Sequence, residues 1–117
     1  MSDFNILHNP RCSKSRQTLE LLQENGVEPN IIKYLETPPS EQDLKAIIKT
    51  LNVSPRDILR IKEAEYKESG LDNPDLSNDE IIKLMVQNPK VIERPIVFND
   101  QVAVVGRPPE NVLTIIK

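Results

Sequence analysis

The chain has one cysteine, one histidine, three glycines and no tryptophan among its 117 residues. Each scarcity excludes something. A lone cysteine cannot close an internal disulfide, and a metal centre normally needs several soft ligands. No bound metal or cofactor is therefore expected. With two tyrosines and two phenylalanines, the core has to be built mainly from Leu, Ile and Val. No apolar run approaches the roughly 18 residues of a membrane span. The start, MSDFNILHN, lacks the basic region and apolar run of a signal peptide. These absences lead us to expect a reducing, cytoplasmic setting with no membrane association. The net charge of −3 argues against nonspecific nucleic-acid binding, which needs a basic surface, but leaves room for a small basic pocket.

What is present is ordered. The length predicts a single domain over 1–117, and with no long exposed apolar face we expect a monomer. FNIL at 4–7 reads as a strand that ends in the turn His8-Asn9-Pro10. Residues 13–25 read as a helix with Leu19 and Leu22 on one face, stopped by Gly26. IIKYL at 31–35 reads as a second strand, completing a β-α-β crossover. From about 38 to 90 the texture becomes helical. Leu44, Ile47, Ile48 and Leu51 recur at helical spacing, Ser54-Pro55 is a helix start, and Ser77 with Glu80 forms a capping box. Several of the ten prolines mark joints there. PIVF at 95–98 and VAVV at 102–105 predict an antiparallel hairpin, and residues 110–117 a final helix. The fold class is thus α/β, a mixed four-stranded thioredoxin-like sheet (βαβ then ββα) with a helical insert between the second and third strands.

In that order of elements a reactive thiol sits after the first strand, where a helix begins. Cys12 occupies that place. A helix N-terminus leaves N–H groups unpaired and carries partial positive charge, so it stabilises an anion. A thiolate there titrates below the usual value of about 8.5, and nearby Lys or Arg lowers it further. Lys14 and Arg16 are the candidates by sequence proximity. The polar flank RCSKS fits poorly with a buried structural cysteine. Pro95, at the start of the third strand, stands where thioredoxin-like folds place a cis-proline facing the sulfur.

The motifs together resemble one family, the glutaredoxin-linked arsenate reductases. They are HNPRCSKSRQTL at 8–19, EPNIIKYLETPPS at 28–40, SPRDILR at 54–60, IERPIVF at 92–98 and GRPPE at 106–110. The resemblance implies that Cys12 attacks arsenate and that Arg60, Arg94 and Arg107 cradle the oxyanion, with His8 and Ser15 supporting the thiolate. Only the resemblance selects Arg60, which otherwise reads as an ordinary arginine at a helix end. With no second cysteine, the implied reductants are external, glutathione as co-substrate and a glutaredoxin as partner. Two other readings use the same chain. One is a glutathione-dependent thiol oxidoreductase with a different substrate. The other is a non-enzymatic regulator of the same fold that binds RNA polymerase, in which Ser15 removes the second thiol of a C-x-x-C switch.

Overall fold

Short runs of consecutive apolar side chains give a sheet whose central strands bury both faces. A computed structural model of the chain describes residues 4–116. Two compact units divide it, one made of the described residues up to Thr37 together with those from Arg94 onward, the other of Pro38–Glu93. Among the described residues no helix is long and apolar enough to cross a membrane.

The first unit holds the sheet. Its strands are β1 (Asn5–Leu7), β2 (Asn30–Ile32), β3 (Ile96–Phe98) and β4 (Ala103–Val105), ordered β2-β1-β3-β4. β1 runs parallel to β2, whereas β1–β3 and β3–β4 are antiparallel. Helix α1 (Ser13–Glu24) connects the parallel pair. Ile6 and Val97, paired across β1 and β3, meet Leu22 of α1 and Val112 in one fully buried cluster. Leu7 and Ile96, of the opposite parity, are buried as well. Gly26, with φ +79°, ends α1 in a Schellman arrangement: its N–H donates to Gln23 O and that of Val27 to Leu22 O.

The second unit is helical. It contains α2 (Glu41–Leu51), α3 (Ala64–Glu68), α4 (Asn78–Gln87) and 3-10 turns at Pro55–Ile58 and Pro89–Val91. Ser40 caps α2 by accepting the Asp43 N–H, and Ser77 with Glu80 closes the capping box of α4. Leu44, Ile47, Ile81 and Met85 supply buried apolar surface from the inner faces of α2 and α4. Leu59 and Ile92 form an isolated antiparallel bridge.

Two boundaries differ from the sequence reading by more than a residue. The second strand ends at Ile32 rather than at residue 35, because the N–H groups of Glu36 and Thr37 both turn back to the Lys33 carbonyl. The final element is a 3-10 helix, Pro109–Thr114, not a helix over 110–117, whose last residue lies outside the described ones. Pro108 and Pro109 set its start. The Asn111 side chain then donates to the carbonyls of Val105 and Arg107, so those groups are satisfied without an α-helical turn.

The register positions the site. Leu7, Ile96 and Val105 form one row across three strands. Beyond that row the chain leads to His8–Cys12 from β1, to Arg94-Pro95 ahead of β3 and to Gly106-Arg107 after β4. All three segments therefore emerge at one end of the sheet. Gly106 is buried there, with the Thr18 side chain of α1 and the Pro95 ring so near that an added Cβ would lie 2.7 Å from Thr18 Oγ1 and 2.9 Å from Pro95 Cγ. Neither neighbour is the free end of a flexible side chain. Overpacking of this kind costs about 1–3 kcal/mol. Gly106→Ala is expected to lower the urea midpoint of unfolding accordingly; an unchanged midpoint would show that α1 yields freely.

Candidate active site

After β1, the His8 N–H still donates to Ile32 O at 2.9 Å, and the chain then turns into α1. Asn9 organises the turn. Its carbonyl accepts the Cys12 N–H at 3.0 Å, its Oδ1 accepts the Arg11 N–H at 3.0 Å, and its own N–H donates to Ser15 Oγ at 3.0 Å. Cys12 is thereby fixed as the N-cap of α1, with extended φ and ψ and no side-chain oxygen capping the helix. Its carbonyl accepts the Arg16 N–H, while the first-turn donors are left for the sulfur.

Arg107 donates its Nε–H to the Arg94 carbonyl at 2.8 Å and places Nη2 3.6 Å from Cys12 Sγ. The Arg94 guanidinium also reaches the sulfur. Partial burial pushes the Cys12 thiol up. The Ser15 N–H, the Arg94 guanidinium and the Lys14 N–H outweigh it, so the thiol sits below its ordinary value. Burial likewise works against the charge of Arg94, and Tyr34 and Cys12 beside it more than restore that charge. The donors are thus two backbone N–H groups and arginines remote in sequence. Lys14 contributes through its backbone, and the exposed Arg16 side chain instead donates to Pro10 O at 2.9 Å.

His8 and Ser15 form a buried pair, Nδ1 to Oγ 2.6 Å. Burial, then Lys33 and Arg16, lower the His8 titration, so its imidazole is neutral at pH 7. A neutral Nδ1 can accept the Ser15 hydroxyl proton while Oγ accepts the Asn9 N–H, which satisfies every member of the chain. Ser15 serves the thiolate twice, with its own N–H and by pinning the turn. The Arg94–Pro95 peptide bond is cis, and Pro95 is buried. Arg60 lies in the second unit, where its Nη1 is 2.8 Å from Glu93 Oε1 and its Nε 3.6 Å from Glu63 Oε2. The first unit therefore gathers Cys12, His8, Ser15, Arg94 and Arg107, while Arg60 is held by carboxylates of its own unit. Sequence reading missed Asn9, Tyr34, Thr18 and Gly106. Asn-Pro after an apolar run was the available signal for Asn9; the other three carry none.

Comparison with known proteins decides the family. The ArsC family model matches residues 7–115. The chain belongs to the ArsC family. It is 48% identical over 113 residues to an arsenate reductase of Neisseria meningitidis, covering 96% of this chain and 97% of that one. An Escherichia coli K12 protein, YfgD, described as uncharacterized, is 53% identical over 112 residues, 95% of this chain and 94% of its own. An arsenate reductase structure from Vibrio cholerae superposes with TM-score 0.92 at 48% identity over 97% of each chain. These ArsC likenesses span the sheet and the helical unit alike.

Since the ArsC thiol is lowered by its folded surroundings, the ionised form stabilises the fold above the unfolded-state value, and this contribution fades as pH falls through the folded value. The rate of Cys12 alkylation by iodoacetamide is expected to rise with pH through a midpoint below that of a free thiol, about 8.5, and Arg94→Ala should move it upward. A wild-type midpoint at or above the free-thiol value would contradict the assigned donors. Ser15→Ala leaves the buried Asn9 N–H and His8 Nδ1 without their partner. It is expected to cost about 1–3 kcal/mol in urea unfolding.

Proposed function

We propose that this chain is an arsenate reductase, acting through the Cys12 thiolate with glutathione and a glutaredoxin as external reductants. The observation that carries the reading is the guanidinium of Arg107 3.6 Å from the Cys12 sulfur, at a helix start, in a chain of the ArsC family.

Arsenate at neutral pH is a doubly charged tetrahedral anion. Paired N–H donors of arginine match its oxygens in a way that lysine does not. Arg94 and Arg107 neutralise the incoming charge, and the N–H groups that hold the thiolate can hold an arsenate oxygen as the As–S bond forms. Cys12–S⁻ with HAsO₄²⁻ and two protons gives Cys12–S–AsO₃H⁻ and water. Glutathione thiol and one further proton then give Cys12–S–S–glutathione and As(OH)₃, the As–S electron pair leaving with arsenic. One arsenic is reduced by two electrons and two sulfurs are oxidised. A glutaredoxin takes the glutathionyl group and returns Cys12–S⁻. The resemblance adds Arg60 as a third cationic contact for the oxyanion, for which it would exchange its carboxylate partners.

Purified protein with arsenate, glutathione and glutaredoxin is expected to yield arsenite, and Cys12→Ser to yield none. Arg94→Ala and Arg107→Ala should each lower kcat/KM about 10- to 100-fold, the span of a charge-assisted hydrogen bond lost. Arg60→Ala tests the third contact in the same assay. No turnover with every component present would leave a glutathione-linked thiol exchange on another substrate as the reading, and reject arsenate.

A further inference from the structure

The turn that fixes Cys12 also forms one wall of a recess of about 300 Å³. The opposite wall is the stretch after β2, with Lys33, Leu35 and Glu36. That volume falls at the small end of small-molecule sites, about 300–1,000 Å³. The thiol is tied to this wall by its peptide bond to Arg11 and by the hydrogen bond from its N–H to Asn9 O. In a chain of net charge −3, the recess carries two cations, Arg11 and Lys33, both exposed, against one carboxylate, Glu36. Pro10 and Leu35 make its apolar part, and Leu35 is among the few large apolar side chains left exposed, at 37%. Arsenate chemistry uses neither cation, since Arg94 and Arg107 are the guanidinium groups at the sulfur.

Glutathione carries two carboxylates and one ammonium around a thiol, the same count with opposite signs. On the reading that Cys12 is cycled by glutathione, we infer that this recess is the glutathione site: Arg11 and Lys33 receive its carboxylates, Glu36 its ammonium, and its sulfur is presented beside residue 12. The recess is then distinct from the arginine pocket, so oxyanion and tripeptide can be held together. The reducing step is the one written above. The same site serves the reverse exchange, in which Cys12–S⁻ and oxidised glutathione give Cys12–S–S–glutathione and a glutathione thiolate.

That exchange tests the site without arsenate. Mass spectrometry would follow mixed-disulfide formation on Cys12 with oxidised glutathione, with uncharged bis(2-hydroxyethyl) disulfide and with dianionic 5,5′-dithiobis(2-nitrobenzoate). For Arg11→Ser and Lys33→Ser, the glutathione rate relative to the uncharged disulfide is expected to fall about 1.5- to 5-fold for each charge removed. Leu35→Trp, which fills the recess without changing charge, should lower the same ratio while sparing the nitrobenzoate reagent. Unchanged ratios in all three variants overturn the site, as does an equal loss for the nitrobenzoate reagent in the charge variants, which would mean general anion attraction. The two readings separate cleanly. A wild type that prefers glutathione disulfide but never reduces arsenate overturns the proposed function and leaves the recess standing. Arsenate turnover with an unaltered KM for glutathione in the variants overturns the recess and leaves the function.

Discussion

A sulfur anion half withdrawn from water is stable only if its donors are in place before the charge appears. That constraint organises the first unit. Cys12 takes the position where a serine or aspartate would ordinarily cap a helix, and its sulfur receives what a capping oxygen would have used. Burial opposes the thiolate here, so the N–H groups of Ser15 and Lys14 and the Arg94 guanidinium have to outweigh it. The turn is held by three hydrogen bonds through Asn9, and Arg107 is held by the Arg94 carbonyl.

The sheet register supplies the long-range part. Because Leu7, Ile96 and Val105 share a row, segments more than eighty residues apart in sequence leave the sheet at the same end. Three-residue strands suffice for this, since their inward side chains join α1 and the terminal 3-10 helix in one cluster. The charge of the site is thus a property of topology. Local crowding of basic residues around Cys12 misleads in this respect: Arg16 serves the Pro10 carbonyl, and Lys14 acts through its backbone.

Much of this was legible. Periodicity, proline joints and capping boxes located the helices, the strand–turn–helix around Cys12 marked the thiol, and Pro95 stood out at the start of the third strand. The roles of Arg94 and Arg107, by contrast, came only with the family resemblance. The strand ends were less legible, because the apolar run 31–35 continues past the point where the Lys33 carbonyl captures the following N–H groups. The final helix was overread for a similar reason: side-chain donation from Asn111 competes with the α-helical pattern, and composition does not reveal which wins. Arg60 shows the limit from the other side. Its partners Glu63 and Glu93 are near it in the fold, but only likeness to a family gives it a role toward an anion.

Gly106 acts through the side chain it does not have. With the Thr18 side chain of α1 on one side and the Pro95 ring on the other, the backbone that leads to Arg107 has no room for a Cβ. The approach of the Arg107 segment to α1 is therefore set where the Gly106 backbone packs on Thr18 and Pro95, and the Arg94 carbonyl then aims the guanidinium. Any bulkier residue at this point would widen the jaws of the site and alter the size of the anion they grip, while leaving every chemical group intact.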